Sequence, residues 1–507
     1  MIAFVMSIAG SRECLGDPAF PAGIRRVESQ VMANERSDFD LVVIGSGPAG
    51  YRAAVQAAKM KKSVAMIEAT PGRLGGTWIH TGTIPSKTLR ESMDSIHSIR
   101  FHAGAEWVDR IIRDLPASHL AAQAVKVAKY EENIVRRYLA RYQITLFEGH
   151  GSLLDPHTVQ IRQKDGTTRE INAQFVLIGT GSRPRRPQDI PFDGWRVVDA
   201  DDLLSLRSVP KSLTIYGGGV IGCEYACIFR YLGVDTTIID SRPTIMQYVD
   251  QETAMALKAS MEGSGIRFIL GTKLAKISTD GPQVTVTMEG GHEETSDVLF
   301  YAGGRTPNTD GLGLESLGIK TSAKGEILVN ENFQTNVASV YAAGDNIGAP
   351  ALAATSAAQG RLAACHMFAS SVKPFPKVFP VGIYTIPELS SVGASEQDLI
   401  KQGVDYVVGR AHYYEIARGY IRGDDHGLLK LLICKKSHRI LGIHILGHDA
   451  CNLVHIGLAF MQKGGVAQDL VDMVFNYPTL AEAYRIAAFN ALNKLFPHGD
   501  IGEPPTF

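Results

Sequence analysis

Two stretches of the chain repeat one order of apolar and polar positions. An apolar run at 40–44 leads into a glycine-rich turn, and residues 51–60 after this turn have the apolar spacing of a helix. An apolar run at 213–216 leads into a second glycine-rich turn, which is again followed by a helical stretch. Each stretch therefore predicts a buried strand, a tight turn and a helix, in that order.

Both turns have the spacing Gly-x-Gly-x-x-Gly. Such glycines permit a tight turn and let the backbone approach a pyrophosphate, whose charge is favoured at the N-terminus of the next helix. In each unit a second strand, at 63–67 or 236–239, ends in an acid 18 positions after the last glycine, Glu68 or Asp240. That acid is placed to accept hydrogen bonds from an adenosine ribose. Two dinucleotide sites are therefore predicted, against the alternative of two tight turns in an ordinary α/β domain. Their residues are Gly45, Gly47, Gly50 and Glu68 in the first site and Gly217, Gly219, Gly222 and Asp240 in the second.

The overall composition limits the other classes of function. A chain of 507 residues exceeds a single core, so we expect two or three domains, and 45% hydrophobic with 20% charged residues is typical of a soluble globular protein. A net charge of -1 gives no sign of a nucleic-acid or membrane partner. Six cysteines without metal-ligand spacing predict no metal site and a reducing, cytoplasmic location. Cys223 and Cys227 are interpreted as small buried side chains on a helix.

Residues 1–37 precede the first predicted strand and are expected to form a disordered N-terminal extension. Residues 2–9 are apolar, but they are too few to cross a bilayer and no basic residue precedes them. A cryptic signal peptide is one interpretation of this start. Met32 lies just before the strand, which favours an upstream extension, or a start site placed too early, for residues 1–31. No other stretch is long and apolar enough for a transmembrane helix.

Several further motifs occur in a fixed order along the chain. They are Gly75-Gly76-Thr77 with Ile84-Pro85-Ser86-Lys87, the strand and turn at 176–182, Gly304-Arg305-Thr306-Pro307-Asn308, and Val340-Tyr341-Ala342-Ala343-Gly344-Asp345. With the two glycine turns, they resemble the pyridine nucleotide-disulfide oxidoreductase family from about residue 38 to residue 496. The resemblance implies FAD at the first turn and a nicotinamide nucleotide at the second. It adds, as further cofactor-binding residues, Gly76, Thr77, Thr180, Gly181, Asp345 and Gly304.

The same resemblance implies an α/β fold with two Rossmann-like domains and a C-terminal α+β dimerisation domain. The FAD-binding domain is expected at 38–184 and 309–380, interrupted by an NAD(P)-binding domain at 185–308. The C-terminal domain is expected at 381–507, and in the family it makes the homodimer. A homodimer or larger homo-oligomer is therefore expected.

The segment 75–87 lacks both cysteines with which family members reduce disulfides. Trp78 and Thr83 stand at those positions, so no dithiol can form there. Tyr477 stands where the family has a histidine that carries protons for the thiols, and a phenol with a pKa of about 10 is a poor general acid-base at neutral pH. Glu482 is retained, and we expect it to bond to the backbone or to Tyr477. The loss of all three groups indicates a chemistry without thiols.

The residues for hydride exchange are retained. By resemblance, Lys87 lies against the flavin near N5 and Glu224 is its ion-pair partner. A fixed positive charge there stabilises the anion that forms as the ring accepts hydride. Lys87 and Glu224 are therefore the predicted catalytic residues.

Thr83 and the segments 476–479 and 481–485 are similar to the soluble pyridine nucleotide transhydrogenases, a branch of the family. This implies hydride transfer from NADPH to NAD+ through FAD N5 in a ping-pong mechanism, with NAD(H) and NADP(H) as substrates. Asp240 is expected to bond the free 2′-hydroxyl of NAD, and Arg242 the 2′-phosphate of NADP. The sequence does not show the direction of the Arg242 side chain, so a surface arginine without this role is the alternative.

Trp78 departs from that branch, whose members usually keep the first cysteine. We expect it to pack near the flavin ring or to cap the emptied dithiol pocket, with a pure packing role as the alternative. Two other functions stay open on the sequence. One is an NAD(P)H:acceptor oxidoreductase, a diaphorase or quinone reductase, and the other is a non-catalytic flavin-binding protein.

Overall fold

The computed structural model describes residues 37–104, 117–206, 208–424 and 426–496. The predicted N-terminal extension lies outside these residues, apart from Ser37. The strands are β1 (Asp38–Ile44), β2 (Val64–Glu68), β3 (Thr145–Glu148), β4 (His150–Leu153), β5 (Thr158–Arg162), β6 (Thr168–Ile178), β7 (Ser182–Pro184), β8 (Val197–Val198), β9 (Ser212–Tyr216), β10 (Asp235–Asp240), β11 (Arg267–Leu270), β12 (Leu274–Ser278), β13 (Val284–Met288), β14 (Glu293–Ser296), β15 (Val298–Tyr301), β16 (Arg305–Pro307), β17 (Val340–Ala342), β18 (Val381–Ile383), β19 (Leu389–Gly393), β20 (Tyr406–His412), β21 (Leu428–Cys434) and β22 (Ile440–Leu446). The helices are α1 (Pro48–Lys59), α2 (Thr77–His80), α3 (Thr83–Ala103), α4 (Ala117–Arg141), α5 (Val220–Tyr231), α6 (Gln251–Gly263), α7 (Ala353–Met367), α8 (Glu396–Gln402), α9 (Ala417–Arg422), α10 (Ala450–Gln462), α11 (Ala467–Asp472) and α12 (Glu482–Leu495).

The first sheet has the strand order β3-β2-β1-β6-β5-β4, with β17 added beside β6. β1 lies between β2 and β6 and runs parallel to both. Its side chains are buried on both faces, with Val43 in one core and Val42 in the other, as its continuous apolar sequence predicts. α1 follows directly and begins at Pro48, earlier than the predicted residue 51, because proline is preorganised for the first turn of a helix.

β17 and α7 reach the first sheet from a distant part of the chain. β17 pairs with β6, with Val340 opposite Val176. α7 packs closely on α1, since a Cβ atom built on Gly360 would lie only 2.0 Å from the carbonyl oxygen of Ala49. Only glycine fits at this helix contact. The first sheet and its helices are therefore built from two parts of the chain, one before the second sheet in the sequence and one after it.

The second sheet is parallel and has the order β11-β10-β9-β15-β8. The strand β9, the glycine turn and α5 occur as predicted, and α5 ends at Tyr231. Cys223 and Cys227 are fully buried in α5, which confirms their interpretation as small core residues. A small antiparallel sheet, β12-β13-β14, completes this part of the chain.

The last sheet is antiparallel and has the order β18-β19-β22-β21-β20. It begins at Val381, where a new domain was expected. α12 packs against β20, where a Cβ atom on Gly409 would lie 2.0 Å from the carbonyl oxygen of Ala487. A mixed sheet, in which β5 runs antiparallel to β4 and β6, and a parallel sheet are thus followed by an antiparallel sheet with helices. No helix within the described ranges is both long and apolar enough to cross a bilayer.

Candidate functional site

The three glycines of the first turn have different surroundings. Gly45 has a φ of +102°, and a Cβ atom there would lie 2.4 Å from the carbonyl oxygen of Gly179. A Cβ atom on Gly50 would lie 2.0 Å from the carbonyl oxygen of Gly45, whereas nothing comes closer than 3.9 Å to one on Gly47. The first and last glycines are therefore required by packing within the protein. The middle glycine faces space in which a pyrophosphate can approach the N-terminus of α1.

The second turn repeats this division. Gly217 has a φ of +124°, and a Cβ atom there would lie 2.6 Å from the carbonyl oxygen of Ala302. A Cβ atom on Gly222 would lie 1.9 Å from the carbonyl oxygen of Gly217, whereas one on Gly219 meets no atom within 4 Å. Both turns thus have the shape that holds a dinucleotide pyrophosphate.

The acid at the end of β2 is fixed by the first turn. The hydroxyl of Ser46 donates a short hydrogen bond to Glu68 and accepts one of 2.8 Å from the main-chain nitrogen of Gly75. Oε1 of Glu68 accepts a further bond of 2.9 Å from the nitrogen of Thr70. Gly76 lies against the same turn, because a Cβ atom there would be 3.5 Å from the Cα atom of Gly47. The structure therefore brings Glu68, Gly76 and the first glycine turn together.

The acid at the end of β10 is paired with an arginine. Asp240 is buried, and Oδ2 accepts a hydrogen bond of 2.6 Å from the nitrogen of Gly218. The guanidinium of Arg242 donates to both carboxylate oxygens, at 2.9 Å from Nε and 2.6 Å from the terminal nitrogen. Burial alone raises the pKa of Asp240, but the hydrogen bonds from Arg242 and Gly218 outweigh this effect, so the pKa lies below its usual value.

Trp78 and Thr83, at the two expected thiol positions, lie in different elements. Trp78 is in α2 and is half-buried against the core that contains Leu74 and Ile79. Thr83 begins α3 and is exposed. His80, in the same segment, bonds through Nε2 to the carbonyl oxygen of Leu74 at 3.0 Å. The contacts of Trp78 in this core agree with the packing role that was left as the alternative.

Lys87 and Glu224 form the ion pair that the sequence predicts. Nζ of Lys87, on α3, lies 2.7 Å from Oε2 of Glu224, on α5. The Glu224 side chain is 5% exposed and that of Lys87 is 26% exposed. Nζ also lies 4.9 Å from the centre of the Tyr384 ring, and the nitrogen of Tyr384 donates a bond of 2.8 Å to Oε1 of Glu224. Elements from the first, second and last parts of the chain thus meet at one charge.

Asp345 is held through a chain of hydrogen bonds that sequence reasoning did not find. The hydroxyl of Ser182 donates to Oδ2 of Asp345 at 2.7 Å and accepts from Nε of Arg305 at 2.7 Å. Arg305 belongs to the motif at 304–308, and this motif was the one sequence signal that Arg305 lies near Asp345. Gly304 and Gly181, at φ values of +107° and +68°, meet no atom within 4 Å of a Cβ position.

Thr180 and Thr77 are placed differently from the other predicted cofactor residues. The hydroxyl of Thr180 donates to the carbonyl oxygen of Asn308 at 2.6 Å, and the Asn308 amide donates back to the carbonyl of Thr180 at 3.0 Å. Thr180 therefore ties together the strands β7 and β16, at which the chain leaves and returns to the first sheet. Thr77 is exposed at the start of α2.

Several buried polar atoms near this region lack a hydrogen-bond partner among the described residues. Among them are Nε1 of Trp78, Oδ1 of Asp201 and the hydroxyl of Tyr225, which follows Glu224. Burial raises the pKa of Asp201, against the opposing effect of a hydrogen bond from Thr81. Because buried polar groups are normally bonded, these atoms fit a site that receives a polar ligand such as FAD. No sequence signal marked Asp201 or Tyr225.

The C-terminal segment places Tyr477 at the surface, with 69% of the residue exposed. Oε2 of Glu482 accepts a bond of 3.4 Å from the nitrogen of Thr479, so the expected bond to the backbone is present.

Throughout the described part of the chain, no group of three or more His, Cys, Asp or Glu side chains is arranged to hold a metal ion.

Comparison with known families covers most of the chain. The model of the pyridine nucleotide-disulphide oxidoreductase family matches residues 39–360, and the model of its dimerisation domain matches residues 379–488. The soluble pyridine nucleotide transhydrogenase of Mycobacterium bovis (strain BCG / Pasteur 1173P2) is 42% identical over 464 residues, which cover 90% of this chain and 98% of that relative. That of Colwellia psychrerythraea is 40% identical over 464 residues, which cover 90% and 99%.

Solved structures share the fold at lower identity. LpdA from Mycobacterium tuberculosis has a TM-score of 0.82 and 27% identity, covering 89% of this chain and 99% of that one. RclA, an HOCl-induced flavoprotein disulfide reductase from Escherichia coli, has a TM-score of 0.80 and 26% identity over the same shares of the two chains. The predicted fold class, with two Rossmann-like domains and a C-terminal α+β domain, is confirmed.

Proposed function

Because the chain belongs to the pyridine nucleotide-disulphide oxidoreductase family, we propose that it transfers hydride from NADPH to NAD+, forming NADP+ and NADH. This is the activity of a Si-specific NAD(P)+ transhydrogenase with a ping-pong mechanism. One observation carries the proposal: the site keeps the Lys87–Glu224 pair at 2.7 Å while Trp78 and Thr83 fill both thiol positions. The names of relatives at 40–42% identity support it.

The family is FAD-dependent and uses NAD(P)H, so FAD is the cofactor and NAD(H) and NADP(H) are the substrates. FAD, when bound, supplies the ring that takes up hydride at N5 and returns it. We assign its pyrophosphate to the first glycine turn and its adenosine ribose to Glu68. Asp345, held by Ser182, binds the ribityl chain, and Gly76 and Gly181 line the path between them.

Lys87 has the charge that hydride uptake requires. Its ammonium lies in a partly buried place, fixed by Glu224 and by the face of the Tyr384 ring. A charge held in this way stabilises negative charge that develops on a neighbouring ring without moving during the reaction. Glu224 acts by keeping the ammonium in position, since its second oxygen is anchored to the backbone of Tyr384.

The second glycine turn gives one place for both nicotinamide substrates. Gly219 faces open space for the pyrophosphate, and Asp240 and Arg242 lie together at the end of β10. NAD and NADP differ only at the ribose next to this pair. A single site of this kind permits one nucleotide to leave before the other binds, as ping-pong kinetics require.

We also propose the domain limits and the assembly. β7 and β16 pair where the chain crosses between sheets, which supports an FAD domain at 38–184 and 309–380 and an NAD(P) domain at 185–308. The remainder, 381–507, overlaps the region 379–488 that the dimerisation-domain model matches, which supports a homodimer. The cysteines within the described residues are free, which supports a reducing, cytoplasmic location.

The decisive experiment is a transhydrogenation assay on purified, FAD-loaded protein. NADPH is mixed with thio-NAD+, and formation of thio-NADH is followed by its absorbance. Quinone and oxygen, offered separately as acceptors, test the diaphorase alternative. Turnover with quinone but not with thio-NAD+ would replace the proposal with that alternative. If NADPH fails to bleach the yellow protein, the chain is a flavin-binding protein without hydride transfer.

A further inference from the structure

The ion pair between Asp240 and Arg242 uses the hydrogen-bonding capacity of the acid completely. Oδ1 of Asp240 accepts from the main-chain nitrogen of Arg242 at 2.8 Å and from its Nε at 2.9 Å. Oδ2 accepts from the nitrogen of Gly218 and from the terminal guanidinium nitrogen, both at 2.6 Å. A carboxylate has about four lone-pair positions, and all of them are engaged. Asp240 therefore has no acceptor left for a ribose hydroxyl.

The two partners differ in freedom to move. The Asp240 side chain is 4% exposed and is tied to the glycine turn, whereas the Arg242 side chain is 41% exposed. Arginine has a long side chain, so its guanidinium can leave the carboxylate and enter solvent without disturbing the core. The main-chain bonds from Gly218 and Arg242 stay in place when it does so. Opening of the pair therefore releases two acceptor positions on Asp240.

We propose that the Asp240–Arg242 pair is a latch that either nucleotide must open, and that it makes the site favour NADP(H). The inference rests on the proposed use of both nucleotides at this site. NAD gains the released acceptors of Asp240 for its ribose hydroxyls but leaves the guanidinium without a partner. NADP gives the released guanidinium a 2′-phosphate, with which arginine forms strong paired hydrogen bonds. The latch therefore weakens NAD binding, and its loss should strengthen it.

The test is calorimetric titration of the full-length, FAD-loaded protein with NAD+ and with NADP+. Both nucleotides and the flavin are oxidised, so binding is measured without hydride transfer. In Arg242→Ala, we expect the Kd for NAD+ to fall by about two- to fivefold, since the arginine that must leave Asp240 is itself partly exposed to solvent. We expect the Kd for NADP+ to rise by at least about tenfold. Opposite directions for the two ligands are the signature of a latch.

Asp240→Asn provides the reverse test, because it frees the guanidinium and removes the charge that competes for it. The Kd for NADP+ should fall and that for NAD+ should rise. Arg267→Ala is the matched control: Arg267 is a half-exposed arginine on β11 that lies 2.6 Å from Glu294, which keeps a bond from Thr237. Both Kd values should stay within about twofold in this control.

An unchanged or higher Kd for NAD+ in Arg242→Ala would overturn the latch. Thermal unfolding of each variant, compared with that of the parent, identifies any variant that does not fold. A protein that shows the opposed shifts but no transhydrogenation would keep the latch and lose the proposed function. A transhydrogenase without the opposed shifts would keep the function and lose the latch.

Discussion

The main-chain nitrogen of Tyr384 donates a hydrogen bond of 2.8 Å to the carboxylate of Glu224, 160 residues earlier in the chain. The last part of the chain thereby fixes the carboxylate that holds Lys87. A charge for hydride transfer is useful only when its position is fixed. In the proposed function, the start of the antiparallel sheet therefore helps to hold the Lys87 ammonium in place.

Lys87→Met should slow flavin reduction by NADPH at least about tenfold, because the developing negative charge loses its fixed counter-charge. Stopped-flow absorbance of the flavin measures this rate directly. The substitution also leaves the buried Glu224 carboxylate without its partner, so stability should fall by about 1–3 kcal/mol. An unchanged reduction rate would show that this charge is not used.

The double variant Lys87→Met with Glu224→Gln separates the two effects. The amide that replaces the carboxylate is neutral and would still accept from the nitrogen of Tyr384, so stability should recover while flavin reduction stays slow. Lys258→Met, at a surface pair with Glu262 in α6, is the control and should change neither quantity. Recovery of the rate in the double variant would mean that unfolding, and not lost charge, slowed Lys87→Met.

Gly219→Ala and Gly222→Ala should have opposite profiles. Gly219 has a φ of -84°, which alanine adopts, and faces open space, so stability should change little. The Michaelis constants for NADPH and NADH should rise together, because the pyrophosphate is common to both. Gly222→Ala forces a Cβ atom to within 1.9 Å of a carbonyl oxygen and should destabilise the protein by about 1–3 kcal/mol. Thermal unfolding and steady-state kinetics distinguish the two variants. Equal stabilities of Gly219→Ala and Gly222→Ala would contradict the prediction.

Lys430→Met should be strongly destabilising. Lys430 is fully buried in β21, and its ammonium lies 2.9 Å from the fully buried carboxylate of Asp250, which caps α6. Removing one partner of a buried pair typically costs about 3–5 kcal/mol, because the other charge stays buried. Urea unfolding at fixed protein concentration measures the loss, with the surface substitution Lys258→Met as control. A loss below about 1 kcal/mol would show that water reaches Asp250 in solution.

Acid should lower the stability of the protein through Glu252, which bonds to the same Lys430. Hydrogen bonds from Arg410, and then from Lys430, lower the pKa of Glu252 to about 2 in the folded protein, against an ordinary value of 4.5. The folded state binds this proton less tightly than the unfolded state, so the contribution to stability is complete above pH 4.5 and is lost as the pH falls towards 2. In Glu252→Gln, the urea concentration at the unfolding midpoint should depend less on pH between these two values. An identical pH profile in the variant would rule out Glu252 as the titrating group.

The sequence predicted the parts of the fold that depend on local pattern. The two strand-turn-helix units follow from apolar runs and glycine spacing, because a strand, a tight turn and a helix each have a short-range signature. Glu68 and Asp240 could be found because they end the second strand of each unit. Lys87 and Glu224 were paired by family resemblance, and the distance between them supports that pairing.

The contacts that sequence reasoning missed are long-range or depend on side-chain direction. Nothing near Tyr384 indicates that its nitrogen meets Glu224. The direction of Arg242 was open from sequence alone, and its bond to Asp240 appears only in three dimensions. Lys430 did leave a signal, since a lysine within the apolar run of β21 indicates a buried and paired charge.

The close contact of α7 with α1 has a consequence for synthesis of the protein. The chain is made from its N-terminus, and all strands of the second sheet exist once Tyr301 has been added. The first sheet still lacks β17 then, and Gly360 has not yet reached Ala49. The sheet that starts later in the chain therefore has all its strands earlier. The ribosome needs about 3–12 s to add the next 60 or so residues at 5–20 residues per second. During this time the first sheet lacks the strand that pairs with β6, and the face of α1 that α7 will cover is exposed.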